Sequence, residues 1–316
     1  MIANSYPMEL EPVDISPYRQ GNTGVEYITS FDSGLPGPHA MINAVTHGNE
    51  LCGVVALDFF FRNRLRPKRG KLTLSFANTA AYLTFDPQDP NGSRCVDEDF
   101  NRVWDLDKLN GNVDSIERCR AREMRPIIDQ VDYLLDLHSL FNDTPALLLS
   151  GALEKGKILA YDIAIPEYIV KDYGHAAGCR LRDYGKFGDQ TCSENALLVE
   201  CGQHWSARSA EVAIETTLRF LLFLNMINME FAGKHFRHNN YPPQKFIEVT
   251  DSVTIQTEEF RFVEEYVGME ILPQAGSVIA TDGDRKVVTP YDNCILIMPS
   301  KRFSPGLTAV RFGRIS

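Results

Sequence analysis

Residues 41–64, MINAVTHGNELCGVVALDFFFRNR, contain the stretch that decides the fold. Residues 41–45 are a short β-prone run, and the mostly apolar residues from about 51 to 64 predict a helix. Between the two, His47, Gly48 and Glu50 form a polar turn at the carboxyl end of the predicted strand. A strand that turns directly into a helix is a building unit of α/β sheets.

The same alternation continues through the middle of the chain. Further strands are predicted at 72–76, 133–137 and 196–199, and helices at about 116–131 and 207–231. Strands that alternate with helices favour a largely parallel or mixed sheet with helices on both faces. We therefore predict an α/β fold.

The pattern changes after Tyr241-Pro242-Pro243. Short β-prone runs with Gly and Pro between them follow at 246–249, 261–263, 278–280, 287–288 and 295–298. This change predicts a domain boundary near residue 240, with an α/β domain over 1–240 and a small all-β domain over 241–316.

Composition and charge exclude several classes of protein. A net charge of -10 disfavours a nucleic-acid partner, because phosphate binding needs clustered Lys and Arg. The seven cysteines are scattered without a C-x-x-C pair, which argues against a disulfide scaffold and fits a reducing compartment. Neither a signal peptide nor a membrane-spanning apolar run is visible, so we expect a cytoplasmic protein with no membrane partner. The G-x-S-x-G, Walker and G-x-G-x-x-G patterns of common hydrolases and nucleotide-binding proteins are absent.

Three polar residues at strand ends suggest a metal site. His47 and Glu50 emerge from one turn, and His138 ends the apolar strand that contains Asp136 two residues earlier. The carboxyl ends of strands in an α/β sheet converge on one crevice, and catalytic zinc takes three such ligands and leaves one position open. Each His alone is more often a packed residue, but the combination favours metal ligands, with Asp136 supporting them from behind.

Glu200 closes the strand predicted at 196–199. A charge at the end of a buried strand is costly unless it has a partner or a function. A metallohydrolase needs a general base that takes a proton from the attacking water and returns it to the leaving nitrogen. Glu200 is the best candidate for that base, and an ion pair with an arginine is the alternative.

A polar loop supplies candidate substrate-binding residues. In 93–102, SRCVDEDFNR, Arg94 lies close to Asn101 and Arg102. Arginine binds carboxylates through two hydrogen bonds, and an adjacent amide adds a donor. Arg94 could instead polarise the scissile carbonyl, and the acids of the loop could simply neutralise its arginines.

Four motifs together resemble the succinylglutamate desuccinylase and aspartoacylase family of zinc-carboxypeptidase-like proteins. They are HGNE at 47–50, R-x-x-D-x-D-F-N-R at 94–102, DLHS at 136–139 and VECG at 199–202, in family order. The resemblance implies a zinc-carboxypeptidase-like mixed sheet flanked by helices, with a smaller C-terminal all-β domain that caps the site. It also implies one Zn²⁺ per chain and release of the acyl group from a small anionic N-acyl amino acid.

The resemblance also implies a role for each site residue. His47, Glu50 and His138 would bind the zinc, Glu200 would be the general base and acid, and Arg94 would polarise the carbonyl. Substrate contacts would come from Asn101, Arg102 and, from the C-terminal part, Tyr291.

Alternatives to this hypothesis stay open. Aspartoacylase has an arginine shortly before its catalytic glutamate that grips a second carboxylate, and residues 189–193, DQTCS, contain none. A dicarboxylate substrate is therefore in doubt, and another N-acyl amino acid or small amide fits equally well. A metallocarboxypeptidase acting on peptides has the same ligand set, and a third alternative is a non-catalytic binding protein. The predicted C-terminal cap favours the deacylase, and assembly into a homo-oligomer is left open.

Overall fold

The computed structural model describes residues 6–175, 177–237 and 241–316. Its strands are β1 Ile28–Asp32, β2 His39–Ala44, β3 Lys71–Phe76, β4 Tyr133–Leu140, β5 Leu147–Leu149, β6 Tyr168–Lys171, β7 Asn195–Gln203, β8 Lys245–Thr254, β9 Arg261–Phe262, β10 Ile271–Leu272, β11 Val278–Asp282, β12 Arg285–Val288, β13 Cys294–Ile297 and β14 Thr308–Ile315. Its α-helices are α1 Leu51–Arg62, α2 Thr79–Tyr82, α3 Leu106–Asn110, α4 Ile116–Ile128, α5 Glu154–Ile163, α6 Ala207–Phe223 and α7 Met229–Ala232.

A large mixed sheet organises the described part of the chain. Its order is β1-β3-β2-β4-β7-β5-β6-β8-β14-β13-β10. The central pairs β3/β2, β2/β4 and β4/β7 are parallel, so the carboxyl ends of β2, β4 and β7 lie at one edge. The pairs β8/β14, β14/β13 and β13/β10 are antiparallel.

Helices cover both faces of the central strands, which confirms the predicted α/β fold. On one face, α1 and α6 pack on alternate residues such as Ile42 and Leu135. On the other face, α4 packs on their neighbours Met41 and Leu134. Burying one such large apolar side chain contributes about 1.5–3 kcal/mol, so the alternation fixes which face each strand residue occupies.

The helix predicted over 207–231 is shorter than expected. α6 ends at Phe223, Asn225 lies in the left-handed region at φ 53°, and the separate short helix α7 follows at Met229. Asparagine tolerates this conformation better than most residues, because its short side chain bonds locally. The apolar periodicity continues past this break, which is why the pattern alone does not reveal it.

The C-terminal strands belong to two different sheets. β9, β11 and β12 form a separate small antiparallel sheet, as expected for a β-rich C-terminal part. The other strands extend the main sheet, because β8 pairs in parallel with β6. The predicted boundary near residue 240 falls at 238–240, outside the described residues, and the division at that point stays a prediction.

Candidate active site

The turn that follows β2 begins with a strained residue. Val45 has φ 63°, a left-handed conformation that is rare for a β-branched side chain and costs on the order of 1–3 kcal/mol. Two hydrogen bonds stabilise it: Ala77 N–H donates to the Ala44 carbonyl, and Asn78 N–H donates to the Val45 carbonyl. The sharp change of direction turns the chain out of the strand just before His47.

Gly48 lets this turn pack closely against a second loop. A Cβ at this position would clash with the Ser93 carbonyl oxygen and with the backbone of Ala81. The Gly48 N–H donates to the Arg94 carbonyl over 3.2 Å, which ties the turn to the loop that contains the predicted arginines.

His47, Glu50 and His138 form one buried cluster. One ligand atom from each residue lies within 4.8 Å of those of the other two. His47 Nδ1 lies 2.7 Å from Glu50 Oε1, and His138 Nδ1 lies 3.0 Å from Glu50 Oε2. The sequence-predicted ligand set is therefore brought together, and both imidazoles present Nδ1 to the same carboxylate.

A carboxylate lies behind each imidazole. Asp136 Oδ2 is 2.8 Å from His138 Nε2, and Asp99 Oδ1 is 3.0 Å from His47 Nε2. The other oxygen of Asp136 accepts hydrogen bonds from Asn43 Nδ2 and Thr46 Oγ1. Such carboxylates fix the ring orientation and make the opposite nitrogen a better metal ligand.

The charges of the cluster are strongly coupled. Burial alone would raise the pKa of Glu50, but His47 and His138 outweigh it and hold that pKa well below its usual value. Burial likewise opposes protonation of His138, yet Asp136 and Glu50 raise its pKa well above the usual value. The site thus holds one ionised, buried carboxylate between two imidazoles, a donor set that suits a divalent cation such as zinc.

Glu200 lies beside this cluster on β7. It pairs directly with His138 across the parallel β4/β7 ladder, where neighbouring strands are about 4.8 Å apart. Its side chain is buried, and Oε2 has no hydrogen-bond partner in the described part of the chain. Burial raises the pKa of Glu200 to about 8; His138 opposes this shift and Glu50 adds to it.

Arg94 reaches the cluster directly from its loop. Its Nη2 donates to Asp99 Oδ2 over 3.1 Å, and Nη1 lies 3.6 Å from Glu50 Oε1. Burial tends to lower the pKa of Arg94, but Asp99 and Glu50 raise it overall. A guanidinium held at this place can stabilise negative charge that develops on a bound carbonyl oxygen.

Asn101 and Arg102 follow Arg94 in the same loop. They lie in a short 3₁₀ turn, Phe100–Arg102, and Asp99 caps the N-terminus of this turn. Asn101 Oδ1 accepts the Leu181 N–H, so its amino group is the part of the amide left to face another partner. Arg102 donates to the Asn101 carbonyl, and burial together with Arg94 and Arg180 lowers its pKa to about 10 despite the opposing effect of Asp99.

Glu117 of α4 fixes this loop, although no pattern in the sequence marks it as a functional residue. Its buried carboxylate accepts N–H groups from Val96, Asp97 and Glu98 at 2.7, 3.1 and 3.2 Å. Asp99, the partner of His47 and Arg94, was also not assigned a role. Its place inside the motif at 94–102 is the signal that could have found it, whereas Glu117 lies outside every motif.

Tyr291 is not brought to the cluster. Its hydroxyl forms a 2.6 Å hydrogen bond with Thr250 Oγ1, and its ring packs under the Arg314 guanidinium at 4.1 Å. It belongs to the apolar cluster of the C-terminal strands, beside Cys294 and Phe312. Its predicted substrate contact stays a prediction.

A family model matches the part of the chain that contains this geometry. The model of the succinylglutamate desuccinylase/aspartoacylase catalytic domain matches residues 36–154, which include His47, Glu50, Arg94 and His138. Over this segment the chain is similar to the succinylglutamate desuccinylase/aspartoacylase family. The resemblance inferred from the four motifs is thereby confirmed.

Two mammalian amidohydrolases are similar to part of this chain. An N-acyl-aromatic-L-amino acid amidohydrolase (carboxylate-forming) of Mus musculus is 27% identical over 191 residues, which are 54% of this chain and 56% of the mouse protein. The chain thus aligns with little more than half of that relative's length. The rat protein of the same name is 24% identical over 60% of this chain and 61% of its own length.

Solved structures of the desuccinylase/aspartoacylase family share the fold. The succinylglutamate desuccinylase of Vibrio cholerae superposes with a TM-score of 0.67 at 14% identity, covering 92% of this chain and 86% of that one. A succinylglutamate desuccinylase/aspartoacylase of Rhodobacter sphaeroides gives 0.66 at 15% identity, covering 92% and 90%. Among the described helices, none is long and apolar enough to cross a membrane.

Proposed function

We propose that this protein is a zinc-dependent amidohydrolase that releases the acyl group from small N-acyl amino acids. The observation that carries the proposal is the buried His47–Glu50–His138 cluster, next to a Glu200 oxygen on the adjacent strand that has no hydrogen-bond partner among the described residues. The names of the relatives, which are amidohydrolases and desuccinylases of N-acyl amino acids, support the same reaction class.

His47 Nδ1, Glu50 and His138 Nδ1 are the groups that would hold the zinc. The fit rests on their chemistry: two imidazoles and one carboxylate, all buried, with Asp99 and Asp136 behind the rings. A zinc ion held here would supply Lewis acidity toward a carbonyl oxygen and would make water a better nucleophile at neutral pH.

Residues of the chain itself transfer the proton, stabilise the developing charge and bind the substrate. Glu200 takes the proton of the attacking water and passes it to the departing amide nitrogen, and a buried carboxyl with a raised pKa suits both transfers. Arg94 stabilises the negative charge that develops on the carbonyl oxygen. The Asn101 amide and the Arg102 guanidinium bind the α-carboxylate of the amino acid, which orients the scissile bond.

A hydrolysis screen of the zinc-loaded protein tests this function. The panel contains N-acetyl, N-formyl and N-succinyl amino acids beside short peptides, each with a chelator control. We expect chelator-sensitive release of a free amino acid from one acyl series. Turnover of peptides alone would identify a carboxypeptidase, and a protein that binds zinc and turns over nothing would support a non-catalytic binding role.

The Glu200→Gln variant tests the role of the base. It should bind zinc as the wild type does and lose about 10²–10⁴-fold in kcat, the usual contribution of general acid–base catalysis. Glu248→Gln is the control, because Glu248 lies on β8 of the same sheet and pairs with Lys171. Hydrolysis that survives in Glu200→Gln with zinc bound would rule out this role.

A further inference from the structure

A β-bulge lies directly after Glu200. Along the parallel β4/β7 ladder the residues pair one to one as far as His138 and Glu200. Residues 201 and 202 of β7 then lie opposite Ser139 alone, and pairing returns at the next residue of each strand. Bulges are rare between parallel strands, are over-represented next to active sites and redirect the side chains beside them. The direction of the Glu200 side chain therefore depends on this bulge.

Gly202 makes the conformation of the bulge possible. Its φ of 112° lies in the region that favours glycine. A Cβ at this position would meet the Thr144 carbonyl oxygen at 3.9 Å, which is an ordinary contact. The glycine is therefore required by the backbone conformation and not by lack of space. Because glycine adopts many conformations, this one has to be held by contacts on either side.

Three hydrogen bonds connect the residues after the bulge to the end of β4. The His204 N–H donates to the Leu140 carbonyl over 2.8 Å. The Gln203 side-chain amide donates to the Phe141 carbonyl over 3.2 Å. The third joins His204 Nδ1 and Ser139 Oγ over 2.8 Å. This last bond is the one that reaches the residue opposite the bulge.

Ser139 links the bulge to the metal cluster. It follows His138 directly, and its backbone N–H donates to Glu50 Oε2 over 3.4 Å. On the other strand, Glu200 Oε2 has no hydrogen-bond partner among the described residues, so its position depends on the backbone of β7. A displacement of β7 relative to Ser139 would therefore change the distance between Glu200 and the predicted metal ligands.

The His204 side chain is held in place and is uncharged. It is 4% exposed, and its ring centroid lies 6.5 Å from that of Phe141 and 5.7 Å from that of Trp205. Burial lowers the pKa of His204 to about 3, although Glu50 opposes the shift. The imidazole is therefore neutral at neutral pH. What it contributes is the hydrogen bond to Ser139, and neither a charge nor a proton transfer.

We propose that His204 is a positioning residue of this site: its hydrogen bond to Ser139 holds the bulge in the form that directs Glu200 toward the metal cluster. The inference rests on the proposed function, because it concerns the step assigned to Glu200. The competing explanation is that the backbone bond of His204 and the Gln203 amide hold the bulge alone, and that the imidazole only fills space. The two explanations differ in which replacement of His204 is tolerated.

Replacing His204 with phenylalanine keeps a ring of similar size and removes the hydrogen bond. In His204→Phe, kcat should fall on the order of 10- to 100-fold, because displacing a catalytic group by about 1 Å can cost that much. KM should stay within about threefold, since Asn101 and Arg102, the predicted substrate contacts, lie in a separate loop.

Replacing His204 with asparagine keeps the hydrogen bond and removes the ring. The amide of Asn lies near the position of Nδ1 and can donate or accept, so His204→Asn should restore kcat to within about threefold of wild type. A side chain that only fills space would give the opposite order, because phenylalanine fills the site and asparagine leaves a cavity.

His235→Phe is the matched control. It makes the same change in another imidazole that packs against aromatic rings, those of Phe59 and Phe231. Phe59 lies near the end of α1, about 13 Å along the helix axis from Glu50. This variant should leave kcat and KM unchanged.

Ser139→Ala removes the same bond from the other strand. It should lower kcat by a factor similar to that of His204→Phe, and it carries the test if His204→Phe loses its cooperative unfolding transition. Urea unfolding of the metal-free protein then tests the bond without any substrate, by comparing the midpoints of the two single variants and the double variant. If the side chains share one bond, the double variant loses less than the two single losses together. Additive losses would overturn the inference.

Cobalt separates failure of this inference from failure of the proposed function. Co²⁺ accepts imidazole and carboxylate ligands, and its visible absorption reports the groups around the ion. If no N-acyl amino acid is hydrolysed, the proposed function is wrong, yet a cobalt spectrum that changes in His204→Phe and returns in His204→Asn still supports the positioning role. An unchanged spectrum in His204→Phe would overturn it in that case. Where the protein does hydrolyse a substrate, an unchanged kcat in His204→Phe, or a lower kcat in His204→Asn than in His204→Phe, would overturn it.

Discussion

Replacing Glu117 with glutamine should loosen the loop that holds the arginines of the site. The Glu117 side chain is fully buried. Its Oε1 accepts hydrogen bonds from Asn78 Nδ2 and Val96 N–H, and its Oε2 accepts those of Asp97 and Glu98. In Glu117→Gln, one of these oxygens becomes an amino group, so one pair of donors faces another donor.

The expected loss of stability follows from the number of donors that lose their acceptor. A donor that loses its acceptor costs about 1–3 kcal/mol when buried, and these N–H groups are partly buried, so the lower end applies. We expect the free energy of unfolding to fall by about 2 kcal/mol. Because the loop contains Arg94 and Asp99, kcat/KM should fall at least about tenfold, since small displacements of catalytic groups are costly.

Urea unfolding monitored by circular dichroism measures the first effect, and hydrolysis of the best N-acyl amino acid measures the second. Glu123→Gln is the control, because Glu123 lies on the same helix with its side chain 60% exposed, in an ion pair with Arg120. Such surface pairs contribute about 0–1 kcal/mol. Equal urea midpoints for Glu117→Gln and Glu123→Gln would refute the anchoring role of Glu117.

Three further predictions test the rest of the site and the fold. Asp99→Asn removes the carboxylate behind His47 and should weaken zinc binding about 10- to 100-fold in competition with a chromophoric chelator; unchanged affinity would contradict the role of Asp99. Burial lowers the pKa of His39 below its usual 6.5, so its contribution to stability is present above that pH and is lost as the pH falls through the lowered pKa. His39→Gln should therefore flatten the decline of the urea midpoint below pH 6.5, and a parallel decline in both proteins would count against this. Tyr291→Phe should leave kcat/KM within about threefold, because the hydroxyl bonds Thr250; a tenfold loss would favour the substrate contact predicted from sequence.

The sequence by itself determined the central strands, the helices beside them and the residues of the candidate metal cluster. The strand predicted at 133–137 lies within β4, and His47, Glu50 and His138 meet as their positions at strand ends predict. These features depend on short-range information. Side-chain periodicity sets which face a residue occupies, and a ligand at the end of a parallel strand must lie near those of its neighbours.

Only the tertiary structure decided how distant segments complete the site. Glu117 anchors the loop of Arg94 from a different helix, and no local pattern marks a buried glutamate as an acceptor of backbone N–H groups. The family resemblance pointed to Tyr291 as the contribution of the C-terminal part, yet its hydroxyl bonds Thr250 and its ring packs under Arg314. Register depends on pairing between strands far apart in the chain, and a shift of one residue would exchange the two faces.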